Sequence, residues 1–357
     1  MSKLLRMARW SLAALVLVIP ATAPAQDKPA PGAQADGQQT QQERQRTQPY
    51  NNAPVWREVR KEGQEHFTSI RGRETGVLVQ SAGETWRQIR NSLVTVWGGL
   101  ALVFALAVIA AIYFGVGPIK THDKPTGRMM PRFSQIERWA HWTVAISFCV
   151  LAVSGLVMLF GKHVLLPLIG YTLFAWLTLL LKNLHNFVSP VFIVSVIVLV
   201  PIFIRDNLPK SYDFAWFAKA WGLFMRNEHI PSGRFNGGEK VWFWGFVIGL
   251  SIVSSVTGMI LLFPNFDQVR STMQLAWIVH ALSALLFILG ALGHIYVGTI
   301  GVEGAYQCMR TGYVDEAWAK EHHEYWYKDV KSDTGAAAPV VAAGGAVPAG
   351  APQERRN

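Results

Sequence analysis

Five stretches of this chain, near 94–116, 139–161, 186–204, 241–263 and 274–299, hold no Asp, Glu, Lys or Arg. About 20 helical residues cross about 30 Å of hydrocarbon, so each stretch has the length and composition of a membrane span. A soluble fold would have to bury five wholly apolar helices in the single core that 357 residues allow. The apolar residues are 51% of the chain and only 16% is charged, but their bunching decides the class. The expectation is an all-α integral membrane protein.

The N-terminus reads differently. Residues 1–25, MSKLLRMARWSLAALVLVIPATAPA, have a basic start, an apolar middle and a small-residue end. That is the layout of a secretory signal peptide cut after Ala25. An uncleaved anchor is the other reading, and the apolar core Trp10 to Ile19 is short for it. Residues 26–54, rich in Gln, Pro and Ala, read as a disordered periplasmic segment. Aromatic and aliphatic residues return in 55–91, a periplasmic segment read either as a partner contact or as a loose tether. An extra transmembrane helix is expected over 92–117, a four-helix bundle with cytoplasmic loops over 132–328, and a flexible cytoplasmic tail over 329–357.

Loop charge sets the orientation. A cleaved signal places the mature N-terminus in the periplasm, and the first span then brings the chain inside. The loop before the second span holds Lys120, Lys124, Arg128, Arg132 and Arg138. The other loop expected inside, about 205–240, holds Arg205, Lys210, Lys219, Arg226, Arg234 and Lys240. The loops expected outside hold Lys162 and Lys182 in one and Arg270 in the other. This positive-inside bias agrees with the signal peptide and gives a multi-pass protein of the bacterial inner membrane with a cytoplasmic C-terminus. The net charge of +10 follows from this pattern and does not point to nucleic acid.

Two cysteines, Cys149 and Cys308, exclude a disulfide framework, covalent haem attachment through C-x-x-C-H and a four-cysteine iron–sulfur cluster in this chain. Any metal must rest on histidine. His141, His185, His280 and His294 lie in or at the edge of spans, where polar side chains are costly and mark function. His280 and His294 are about 21 Å apart along one helix and lie on nearly the same face. His141 begins its span at the cytoplasmic side, level with His294. His185 begins its span at the outer side, level with His280. The result is two imidazole pairs at two depths, suited to two bis-histidine b-type haems that carry electrons and leave no open coordination position. Zinc is the competing metal, but four histidines at two depths do not form one tetrahedral site. Gly155, fourteen residues after His141, faces the outer level, either to admit a porphyrin or as an ordinary small residue at a helix contact.

The segments RFSQIERWAHWTVAISFCVLAVSGL, NLHNFVSPVFIVSVIVLV, RNEHIPSGRFNGGEKVWFW and WIVHALSALLFILGALGHIYVGTIGVEGAYQCMRTGYVDEAWAKEHHEYWY resemble the cytochrome b (gamma) subunit of membrane-bound formate dehydrogenases. The resemblance covers about 132–328. It implies a di-haem four-helix bundle in which His141 and His294 ligate an inner haem and His185 and His280 an outer one. It also implies a quinone site beside the inner haem at Asn236, Gly237 and Gly238; from the residues alone, GRFNGGEK reads as an ordinary turn before a helix. Glu239 stands where the family has Gln, as a proton donor or, the favoured reading, a solvated charge at a helix start. His229, His322 and His323 are read as structural or solvated, with proton uptake the lesser alternative.

The implied function is respiratory electron transfer. A catalytic alpha subunit holding molybdenum or tungsten would oxidise formate in the periplasm. An iron–sulfur beta subunit would pass electrons to this chain, and quinone would be reduced near the cytoplasmic face. One alternative keeps the electron wire and changes the donor to a hydrogenase or a thiosulfate or polysulfide reductase. Another is a haem-free membrane anchor or transporter.

Overall fold

A computed structural model of the chain describes residues 82–226, 228, 230–333 and 341–342. The signal peptide of 1–25, the segment 26–54, most of 55–91, His229 and most of the expected tail lie outside the described residues. Among the described residues, five helices are long and apolar enough to cross a membrane: α1 (Gly83–Gly115), α2 (Gln135–Val164), α3 (Leu166–Phe203), α5 (Gly237–Leu262) and α6 (Arg270–Gly301). Between and after them lie four shorter helices, α4 (Ser211–Arg226), α7 (Ala305–Thr311), α8 (Glu316–His322) and α9 (Glu324–Asp333). The first residues of the segment expected to be tail are therefore helical.

Local chemistry starts these helices where the sequence allows. Ser134 accepts from the Glu137 N–H while the Glu137 carboxylate accepts from the Ser134 N–H, a capping box that opens α2. Asn236 and Glu239 do the same for α5. α2 packs along α3, α5 along α6, α3 touches α5, and α1 lies along α6.

The third span departs from expectation. A short outside loop was expected over about 162–185; instead the chain re-enters helix at Leu166. The only break is at Gly170, whose φ of 73° lies in the region that glycine reaches without a Cβ clash. The turn before it is tight because Gly161 lacks a side chain: a Cβ there would come within 2.8 Å of the Phe174 ring. His185 thus lies well inside a long helix rather than at its start. α1 likewise begins before residue 92.

The all-α expectation omits a small sheet. β1 (Arg128–Pro131) pairs antiparallel with β2 (Tyr313–Asp315) and with β3 (Val341–Ala342), in the order β2-β1-β3. These strands lie outside the five apolar spans, where the backbone need not be helical as it must in hydrocarbon. The sheet joins the loop before α2 to the segment after α6. Arg234 strengthens that end of the bundle, pairing with Glu137 and Asp206 and donating to the Arg132 carbonyl. Lys240 and Asp213, both nearly buried, pair at 2.8 Å and tie α5 to α4.

Candidate functional site: two histidine pairs at two levels

The four histidines meet in twos. His141 of α2 and His294 of α6 have ring centroids 6.3 Å apart. His185 of α3 and His280 of α6 are 6.2 Å apart. A metal bound to two imidazole nitrogens at about 2.0–2.1 Å each separates their ring centroids by about 6 Å once the ring radii are added. Both pairs have this spacing. Among the described residues, no three His, Cys, Asp or Glu side chains come together as a metal site.

Neighbouring groups fix the imidazoles at the His185–His280 level. The His280 Nδ1 lies 3.0 Å from the Ser254 carbonyl, which can only accept, so Nδ1 carries the proton. Thr257 Oγ1 is 3.2 Å from the same nitrogen. Ser154 donates its own proton to the Val150 carbonyl and lies 2.8 Å from His185 Nδ1, so it accepts there. In a neutral ring this leaves the Nε2 lone pair of each histidine free to bind a metal, the usual outer-shell arrangement of a metal-ligating histidine.

A cavity of about 420 Å³ opens at this level, lined by both histidines and by Gly155, Gly258 and Phe287 among others. Its size lies within the range of cofactor pockets, about 300–1,000 Å³. The glycines are close neighbours of the imidazoles. A Cβ on Gly155 would lie 3.6 Å from His185 Cε1, and one on Gly258 would lie 3.2 Å from His280 Cε1. An apolar cavity with two imidazoles and a glycine beside each fits a flat, largely apolar macrocycle.

At the other level, Trp242 of α5 stacks on His294 with centroids 4.5 Å apart and planes 5° from parallel. α5 is π-helical over Trp242–Leu250, a widening often found at functional positions. His141 Nδ1 is buried with no hydrogen-bond partner, an orphan of the kind a bound group or water satisfies. Between the levels, Phe287 packs on Phe148 at 4.5 Å and on Trp242 at 5.8 Å. Phe287 is seven residues from each α6 histidine, so an aromatic layer lies midway between the pairs.

The remaining candidates have local roles. Asn236 Oδ1 accepts from the Glu239 N–H at 3.0 Å as the cap of α5. Gly237 and Gly238 pack under Trp216, where Cβ atoms would come to 2.9 and 3.0 Å. Glu239 is more than a solvated charge: it completes the capping box and accepts from buried Arg132 at 3.3 Å. His323 is 2% exposed and bonds the Gly233 carbonyl at 2.7 Å, and His322 packs edge-on against Trp318. Both are structural.

Sequence reasoning missed Ser154, Thr257, Gly258 and Trp242. A signal for three of them was present: VSGL at 153–156 and VTGM at 256–259 are the same local pattern. Each hydroxyl bonds one imidazole and each glycine lies beside it.

A family model described as prokaryotic cytochrome b561 matches residues 132–310, half of the chain. The formate dehydrogenase cytochrome b556(fdo) subunit of Escherichia coli (strain K12) is 32% identical over 206 residues, covering 57% of this chain and 94% of that protein. The nitrate-inducible formate dehydrogenase cytochrome b556(Fdn) subunit of the same organism is 28% identical over 214 residues, covering 57% and 93%. A formate dehydrogenase cytochrome b556 subunit of Haemophilus influenzae is 29% identical over 203 residues, covering 54% and 79%. With its five apolar helices, the chain belongs to the prokaryotic cytochrome b561 family of multi-pass membrane electron-transfer proteins.

Proposed function

We propose that this protein is the cytochrome b subunit of a respiratory formate dehydrogenase and that it holds two b-type haems. The observation that carries this reading is the pair of imidazole pairs, 6.3 and 6.2 Å between centroids. The names of the relatives supply the formate dehydrogenase context. Bound haem supplies one-electron redox chemistry, and ligation by two imidazoles leaves no coordination position for substrate.

The chain's own residues hold and orient. His141 and His294 ligate one haem iron, His185 and His280 the other. Ser154, Thr257 and the Ser254 carbonyl keep the proton on Nδ1 at the second pair, so that Nε2 faces the metal. Trp242 holds the plane of His294. Asn236, with Gly237 and Gly238, forms the quinone site near the His141–His294 level. The capping bond of Asn236 leaves its amide N–H groups available to a quinone carbonyl. An iron–sulfur beta subunit docks at the opposite level and receives electrons from a molybdenum- or tungsten-containing alpha subunit, where formate is oxidised. The protein lies in the inner membrane, with its N-terminus periplasmic and its C-terminus cytoplasmic.

The test is a dithionite-reduced minus oxidised spectrum of the purified chain with a pyridine haemochrome count. Two b haems per chain are expected, and His280→Ala should leave one. A folded preparation that holds no haem, or one, overturns the di-haem reading.

A further inference from the structure

We infer that Arg90, with Lys182 of the same cavity lining, is the anchor for the carboxylates of the haem held by His185 and His280. The extra helix α1 is then part of a cofactor site and not only a tether. The inference rests on the di-haem reading and goes beyond it, because α1 lies wholly N-terminal to the family match at 132–310.

The packing builds Arg90 into that cavity. Val94 is fully buried. Gly98 brings α1 close to α6, since a Cβ there would lie 2.6 Å from Leu285 Cδ1, and Leu285 lines the cavity. One turn before His280, Trp277 also lines it. The Arg90 guanidinium lies 5.3 Å from the centre of the Trp277 ring and 5.5 Å from that of Trp86. The two indoles meet edge to face at 5.7 Å. These contacts fix Arg90 at the cavity rather than leaving it to swing toward solvent.

The charge pattern names the ligand chemistry. Arg90 and Lys182 are the only Lys, Arg, Asp or Glu residues among the cavity's described lining. They come from different helices, α1 and α3. No carboxylate among the described residues pairs with Arg90. A cation turned onto an apolar cavity with no carboxylate partner is favoured by an anionic group on whatever fills that cavity. A ligand with an apolar body and anionic carboxylates at one edge supplies it. Guanidinium is the side chain whose fork matches a carboxylate in two hydrogen bonds, and the long Lys182 stem lets its ammonium reach the same edge.

Reduction adds one electron to a haem, so a nearby cation favours the reduced form. The experiment uses the full chain carrying Arg90→Gln, Arg90→Lys, Lys182→Gln or the Arg90→Gln/Lys182→Gln pair. Haem per chain and the midpoint potential of each haem are read by redox titration. Arg90→Gln should lower one of the two potentials and leave the other unchanged, with Arg90→Lys in between. The double variant should lose one of the two haems on purification. Arg87→Gln, at a neighbouring exposed cation already paired with Glu84, should change neither. Two haems with unaltered potentials in Arg90→Gln would overturn the anchor and leave the di-haem reading standing, with Arg90 then serving lipid phosphate at the membrane surface. Absence of haem from the wild-type chain would instead overturn the function proposed above.

Discussion

Gly258 and Gly155 are the residues at which single atoms decide whether the His185–His280 cavity stays open. A Cβ at Gly155 would make ordinary contact with His185 at 3.6 Å, while one at Gly258 would press His280 at 3.2 Å. Gly155→Ala should therefore keep both haems. Gly258→Val adds branched methyl groups to the tighter site, and the purified variant should carry one haem per chain, counted by pyridine haemochrome. Equal haem content in Gly258→Val and wild type would show that the glycine serves only helix packing. The four histidines and Gly155 were legible in the sequence because depth along a span follows from residue number and helical rise. Thr257 and Gly258 repeat the Ser154-Gly155 pattern in the sequence, but their role depends on which helix faces His280, a contact no single span encodes.

At the scale of elements, polar pairs tie helices to the segments that join them. Lys240 of α5 and Asp213 of α4 are each less than a tenth exposed and bond at 2.8 Å. Breaking a buried pair by removing one partner strands the other charge, at a cost of about 3–5 kcal/mol. Asp213→Ala should lower the thermal midpoint of the detergent-solubilised protein, and Asp213→Ala with Lys240→Met should recover much of the loss. A double variant no better than the single one would remove the stranded-charge explanation. A second pair fastens the loop before α2 to α8, where Glu321 accepts from both the ring and the backbone N–H of His122, at 2.6 and 2.8 Å. Burial alone pushes the Glu321 carboxyl up, but these hydrogen bonds outweigh it and hold the group below its ordinary 4.5. A depressed carboxylate stabilises the fold fully above its unfolded value and loses that contribution as pH falls through the folded one. The difference in thermal midpoint between wild type and Glu321→Gln should persist at pH 6 and shrink below about pH 4.5. The sequence could mark the start of α5 by its N-G-G-E pattern. It could not show that Gly237 and Gly238 pack under Trp216, because α4 reaches them across a loop.

Across the whole molecule, the polar segments gather at one end of the bundle. The loop before α2, the segment between α3 and α5 and the chain after α6 interlock there. β1 pairs with β2, Arg234 joins Glu137 and Asp206, Arg132 reaches Glu239, and the Tyr325 N–H donates to the Ser232 carbonyl. Loop charge foretold which segments share a side, since Lys120, Lys124, Arg128 and Arg132 sit in the first and Arg205, Lys210, Lys219 and Arg234 in the second. It could not foretell that they pack into a cap with its own sheet and ion pairs, because most of those contacts join residues more than ninety positions apart. The third span differs from expectation for a related reason: Lys162 and Lys182 fit a loop by charge, while α3 carries Lys182 into the lining of the cavity. Positive residues are retained on the cytoplasmic side of a membrane, so the interlocked cap should face the cytoplasm and the short Phe263–Val269 turn the periplasm. Single cysteines at Lys124, Lys320 and Phe266, placed in a Cys149→Ser/Cys308→Ser background, test this with an impermeant maleimide. In intact cells with a permeable outer membrane, only the cysteine at 266 should be labelled, and the other two should react only after the inner membrane is opened. Labelling of 124 and 320 from outside would invert the protein and, with it, place the His141–His294 pair toward the periplasm.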